Sequence, residues 1–160
     1  MIDFVRRLFA RGEPVLAPAA ARDAAAIAVL HGASFHRGWS DGEIERMLLD
    51  RDVLAHRATH GRSLVGFILS RLVAGEAEIL SVAVASSRRG KGVARRLLDL
   101  HLRRLAGLGA RAVFLEVDED NAPARKLYRR AGFQEVGRRD GYYQDPTGRS
   151  TAALVLRRDL

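Results

Sequence analysis

The segment Val82-Ala83-Val84-Ala85-Ser86-Ser87-Arg88-Arg89-Gly90-Lys91-Gly92-Val93-Ala94 leaves the chain few ways to fold. It reads as an apolar strand, a loop of glycines and cations, and then the start of a long helix. In that helix Val93, Leu97, Leu98, Leu102 and Leu105 recur at helical spacing as far as Gly107–Gly109. A helix start exposes unpaired N–H groups at the positive end of its dipole. Gly90 and Gly92 place no Cβ in the way of an approaching anion and tolerate unusual dihedrals. Arg88, Arg89 and Lys91 add positive charge around them. Two readings fit this loop equally: an anion cradle, or a glycine-rich turn without a ligand. Its spacing is neither that of a Walker loop nor that of the GxGxxG dinucleotide fingerprint.

The rest of the chain arranges itself around this joint. Val15 to Ala17 reads as a short first strand and Asp23 to His31 as an Ala-rich helix with Ile27 and Leu30 on one face. Ser40-Asp41-Gly42-Glu43 has capping-box spacing before Ile44, Met47 and Leu48, so a second helix starts at Ser40. Val53 to Ala58 and Leu64 to Val73 read as strands about the turn His60-Gly61-Arg62, and Ala77 to Val84 as a third after Ala74-Gly75-Glu76. Ala112 to Val117 is a dense apolar strand, and Asn121 to Ala131 a helix ended by Gly132. Phe133 to Gly137 and Thr151 to Leu156 read as the final strands. This order implies an α/β (α+β) domain on one mixed sheet.

The chain has 160 residues and no cysteine, enough for one domain with its own core and without disulfides, thiolate zinc sites or a Cys acyl-enzyme. We divide it into an N-terminal extension, residues 1–14, and a single domain, residues 15–160. The extension mixes Arg6, Arg7 and Arg11 with Ile2, Phe4, Val5, Leu8 and Phe9, and reads as a short amphipathic helix stopped by Gly12 and Pro14. No apolar run reaches membrane-span length, so no membrane partner is expected, and a cytoplasmic home fits. The net charge of +8 comes almost entirely from arginine, with Lys91 and Lys126 the only lysines. Those cations are dispersed and not interleaved with aromatics, so no direct nucleic-acid partner is expected. His56 and His60 stand four apart, but on an expected strand and turn with no third ligand nearby. They read as surface residues, no metal is expected, and His31, His36 and His101 carry no assigned role.

The run Arg89-Gly90-Lys91-Gly92-Val93-Ala94 resembles the R-x-x-G-x-A/G signature of the GNAT acetyltransferases. Further along, Leu115-Glu116-Val117, Asn121, Leu127-Tyr128 and Ala131-Gly132-Phe133 look like the bacterial ribosomal-protein alanine N-acetyltransferases, the RimI type. The resemblance continues at Gly38-Trp39-Ser40 and at Arg138-Arg139-Asp140-Gly141-Tyr142-Tyr143, and so covers most of the chain from about Phe35 onward. Ser86 stands where the family often has proline. The resemblance implies the GNAT acyl-CoA N-acyltransferase fold, a mixed, mostly antiparallel sheet of about six to seven strands flanked by about four helices. It implies acetyl-CoA as co-substrate, held by the strand residues Val82, Ala83 and Val84 and by Arg89, Gly90, Lys91, Gly92, Val93, Ala94 and Arg95, with Asn121 as a further contact. It implies Glu116 as general base through a water and Tyr128 as the acid that protonates the leaving sulfur. Its implied acceptor is the N-terminal alanine of a ribosomal protein.

The chemistry suits these residue types. Direct transfer needs a base for the attacking amine and an acid for the departing thiolate. An α-amine with a pKa near ~8 keeps a usable neutral fraction at neutral pH, unlike lysine near ~10.4. Read singly, Glu116 is a strand-end carboxylate and Tyr128 a core aromatic; the joint spacing favours function. Asn121 also reads as the N-cap of its helix, with Pro123 in the first turn. Trp39, Tyr142 and Tyr143 read equally as acceptor-groove walls or as packing, and Glu43, Asp140 and Asp145 are candidates for an acidic lining. The competing readings are an acetyltransferase of a small amine or of lysine, a non-catalytic acyl-CoA binder, and a basic nucleic-acid-binding domain.

Overall fold

The computed structural model describes residues 12–160, so the helix expected within residues 1–14 falls mostly outside the described residues. The chain opens with β1 (Val15–Pro18), a 3-10 turn (Ala21–Asp23), α1 (Ala24–Ser34) and α2 (Asp41–Leu49). Strands β2 (Val53–His60), β3 (Ser63–Val73) and β4 (Glu76–Val84) follow as consecutive hairpins. A second 3-10 turn (Ser86–Arg88) leads into α3 (Val93–Gly107), then β5 (Ala112–Asp118), α4 (Ala122–Arg130), β6 (Gln134–Gln144) and β7 (Ser150–Asp159).

The seven strands form one sheet in the order β1-β2-β3-β4-β5-β7-β6, antiparallel throughout except where β4 meets β5. Among the described residues this is a mixed sheet of seven strands with four helices, the fold that the family resemblance implied. Each face buries its own core. On one face α3 and α4 cover Ile68, Ile79, Val113, Leu115 and Val117 with Leu97, Leu98, Leu105 and Tyr128. On the other, Ile27 and Leu30 of α1 and Ile44 of α2 cover Phe67, Leu69 and Ala83. The first helix begins later than expected because Asp23 is spent elsewhere: its carboxylate accepts from the Ala20 amide at 2.8 Å and pairs with Arg57 at 3.0 Å. The second begins where expected, with the Ser40 amide donating to Glu43 at 2.7 Å and the Glu43 amide donating to the Ser40 hydroxyl at 3.2 Å.

Three further differences from the sequence reading have physical causes. His56 is not a surface residue but buried beneath α3. Its Nδ1 lies 2.7 Å from His101 Nδ1, and His101 Nε2 lies 2.6 Å from the Ser70 hydroxyl, so a polar chain links β2, α3 and β3. His60 is likewise half-buried. Finally, β6 runs on through Tyr142-Tyr143 to Gln144, because bulges let it keep pairing with β7 while it bends.

The sheet also has a gap. β4 and β5 pair only over Glu76↔Ala112, Ala77↔Val113 and Glu78↔Phe114, and then diverge. The divergence starts at a bulge. Leu69 faces Ser81 and Ser70 faces Ile79, which leaves Leu80 as an extra residue on β4. A bulge bends its strand and ends pairing on the far side. From Ile79 to Val84 the edge of β4 that faces β5 is therefore unladdered.

Candidate active site

At the far end of the gap, the loop Arg89–Gly92 turns the chain into α3. Gly90 and Gly92 have φ of 71° and 80°, a left-handed conformation that costs an L side chain about 1–2 kcal/mol. A Cβ built on either would meet nothing within 4 Å among the described residues, which leave the space above the loop open. Gly92 is the N-cap of α3 and offers no side-chain cap, and the first intrahelical bond runs from the Arg96 amide to the Gly92 carbonyl at 3.0 Å. The amides of Val93, Ala94 and Arg95 are thus free for an external acceptor. Arg89 turns inward and donates to the Val84 carbonyl at 3.0 Å, fixing the loop to the end of β4. Lys91 donates to the Ser87 carbonyl at 3.2 Å, and Arg95 pairs with Asp99 one turn along at 3.0 Å. Val93 puts its side chain in the core, leaving only its amide to face a ligand.

These features fit the diphosphate and amide arm of an acyl-CoA: an uncapped helix start for the anion, and an open strand edge for the amides. Ser81 adds to the fit, since its hydroxyl is buried beside the bulge with no partner among the described residues. Asn121 caps α4, its carbonyl accepting from the Ala124 amide at 3.2 Å.

Glu116 and Tyr128 stand on opposite faces of the sheet at the gap. Side chains alternate along β5, so Leu115 and Val117 join the α3 side while Glu116 faces the other. There it lines a groove of about 670 Å³ together with Trp39, Glu43, Asp50, Glu78, Tyr142 and Tyr143. The structure thus brings Trp39, Glu116 and the adjacent pair Tyr142 and Tyr143 to one place from three distant parts of the chain. Of the suggested acidic residues, only Glu43 lines the groove. Asp140 is bound by Arg138 at 2.6 Å, and Asp145 closes the β6–β7 turn through the amides of Thr147 and Arg149.

Tyr128 is buried with its ring edge-on to Phe133 at 5.7 Å. Burial, then the neighbouring Tyr143, pushes its hydroxyl well above the usual phenol range. Tyr143 is raised too, by burial first and then by Glu116, Tyr142 and Asp118. Tyr143 thus lines the groove with Glu116, and its charge is felt at Tyr128 as well.

Two residues of the site were given no role by the sequence. His31 stacks on Trp39 at 4.2 Å and accepts the Trp39 amide on Nδ1 at 3.1 Å, which fixes the groove wall. Burial lowers its proton affinity, so it stays the neutral acceptor this contact requires. Arg139, on β6, reaches over β7 to place its guanidinium 3.1 Å from the Glu116 carboxylate. The bulge at Leu80 did leave a trace, a change of apolar phase from Ala77 and Ile79 to Val82 and Val84.

Comparison with known proteins bears on the family and the fold. A model of the acetyltransferase (GNAT) family matches residues 24–133, which include the loop, Glu116 and Tyr128. The [ribosomal protein bS18]-alanine N-acetyltransferase of Haemophilus influenzae is 31% identical over 118 residues, 74% of this chain and 80% of its own. The N-alpha-acetyltransferase RimI of Mycobacterium tuberculosis is 38% identical over 106 residues, 64% of this chain and 63% of its own. Among solved structures, the ribosomal-protein-S18-alanine N-acetyltransferase of Escherichia coli superposes with a TM-score of 0.85 at 23% identity, covering 91% of this chain and 93% of that one. Arabidopsis thaliana NAA60 in complex with acetyl-CoA does so with 0.82 at 20% identity, over 92% and 98%. With the strand, the glycine loop and the two central side chains all inside the matched region, the chain belongs to the acetyltransferase (GNAT) family and is an N-acetyltransferase.

Proposed function

We propose that this enzyme, a cytoplasmic one whose catalytic domain is residues 15–160, transfers the acetyl group of acetyl-CoA to the α-amine of a protein N-terminus, an alanine of a ribosomal protein. The observation that carries the reading is the position of Glu116. It stands between a gap shaped for an acyl-CoA arm and an open groove walled by Trp39, Tyr142 and Tyr143. Relatives named as ribosomal-protein alanine N-acetyltransferases support the acceptor class.

Each residue then has a task. The free amides of Val93, Ala94 and Arg95, with Gly90 and Gly92 keeping the approach open, take the diphosphate of acetyl-CoA. The unladdered edge Val82–Val84 pairs with the amide arm, and Asn121 flanks it. Glu116 takes the amine proton through a water as the N–C bond forms. The C–S bond breaks, and Tyr128 gives its proton to the departing sulfur. A phenol held above its usual range is a weak acid, so it donates only as thiolate charge develops and is not ionised beforehand. Trp39 and the tyrosine pair leave room for a short first side chain.

The test offers alanine-initiated peptides, the same peptides with a blocked N-terminus, and free polyamines, with the acetyl group located by mass spectrometry. Acetylation at the alanine α-amine is expected. Acetyl groups confined to lysines or polyamines would discard the N-terminal acceptor while leaving an acetyltransferase.

A further inference from the structure

The base proposed above is already engaged by a cation. Arg139 Nη2 lies 3.1 Å from Glu116 Oε1, and the guanidinium also sits over the Tyr142 ring, 5.5 Å from its centroid. The backbone builds this arrangement. Glu116 faces Val155 across β5 and β7, and Arg139 faces Ala153 across β7 and β6, so all four side chains share one face of the sheet. The small Ala153 leaves a path for the arginine to cross β7. Between Arg139 and Tyr143, three residues of β6 oppose Ala152 alone, and Gly141 at a φ of 64° makes the bend that stacks Tyr142 on the arginine. Arg138 is held apart from the groove by Glu119 at 2.8 Å and by Asp140. Arg139 thus joins the base to the groove wall, although its side chain remains 59% exposed and free to swing away.

Resting on the reading of Glu116 as the base, we propose that Arg139 is a place-holder for the acceptor: the guanidinium occupies the carboxylate until an N-terminal ammonium replaces it, cation for cation. The acceptor therefore enters the groove protonated, against Glu116 and the π-face of Tyr142. Once it is seated, its first proton passes by way of Glu116 to solvent water. That frees the lone pair for attack and leaves the carboxylate ready for the proton lost as the N–C bond forms. The same contact keeps Glu116 compensated when the groove is empty, and admits only an incoming group positive enough to displace a guanidinium. A neutral amine or alcohol has no means of doing so. The exchange is nearly balanced, since an exposed ion pair contributes about 0.2–1 kcal/mol, or up to about fivefold in affinity.

The experiment measures by calorimetry the binding of an alanine-initiated peptide to the full-length, CoA-bound protein. Arg139→Gln removes the competitor, so peptide affinity should rise about two- to fivefold while CoA affinity stays unchanged. Arg139→Lys restores a cation and should return the affinity towards that of the wild type. A peptide whose terminal amine is replaced by hydroxyl should bind more weakly than the amine to the wild type. In Glu116→Gln the gain from Arg139→Gln should vanish, because the shared anion is gone. Unchanged or weakened peptide binding in Arg139→Gln would overturn the proposal. Wild-type turnover in Glu116→Gln would instead overturn the role of Glu116, so the two failures read differently.

Discussion

The two halves of the cleft are built from different materials. The half proposed to hold acyl-CoA is mostly backbone: the free amides that open α3, two left-handed glycines, and a strand edge that a single bulge keeps unladdered. Its side chains serve mainly to hold the loop, as Arg89 does on Val84. The half proposed to hold the acceptor is all side chain. Trp39 stands on His31, Glu116 on Arg139, and Tyr142 on both Arg139 and Tyr143. A backbone site recognises what every acyl-CoA shares and tolerates exchange of its side chains. A side-chain site can be retuned one residue at a time. The contrast teaches why a single fold can keep its donor and vary its acceptor.

This comparison breaks most sharply at the chemistry. Tyr128→Phe preserves the packing on Phe133 and removes only the proton, so turnover should fall roughly 10²–10⁴-fold while calorimetric affinity for acetyl-CoA stays put. A parallel loss of acetyl-CoA binding would make Tyr128 part of the donor site instead. The backbone half is probed by Gly92→Glu, which forces a side chain into φ of 80° and sets a carboxylate where the diphosphate is expected. Acetyl-CoA affinity should drop at least tenfold, about 1.4 kcal/mol, with peptide binding spared. Unchanged affinity in a folded variant would remove the loop from the site.

The smallest effect concerns the support beneath both halves. Burial, then His56, lowers the pKa of His101 to about 3, and burial, then Arg104, lowers that of His56. Both groups have folded pKa values below the ordinary histidine value of about 6.5, so the unfolded chain binds protons that the folded one refuses. Their contribution is whole above about pH 6.5 and is lost as the pH falls below it, for His101 down to about 3, at up to about 1.4 kcal/mol per pH unit per group. Thermal melts between pH 7.5 and 5 should show falling Tm for the wild type and a shallower fall for His101→Asn. Equal slopes would mean that the network is not held neutral.

Legibility followed the same division. The strand, loop and helix around Gly90–Ala94 could be read because dihedral and dipole requirements fall on consecutive residues. The Ser40–Glu43 cap could be read for the same reason. The end of β6 could not: Asp140-Gly141 looks like a turn, and only pairing with β7 across a bulge keeps the strand going to Gln144. His56 looked exposed because polarity in one residue says nothing of a partner far along the chain, here His101 and Ser70.

The sequence by itself determined the element order, the glycine loop and the residue types for acid and base chemistry, since each is encoded over a few neighbouring positions. The tertiary structure decided that β4 and β5 part at Leu80, that Tyr143 lines the same groove as Glu116, and that Arg139 crosses β7 to reach Glu116. These are matters of register. Moving a strand by one residue turns each of its side chains to the other face, and register is fixed only when the whole sheet pairs and packs.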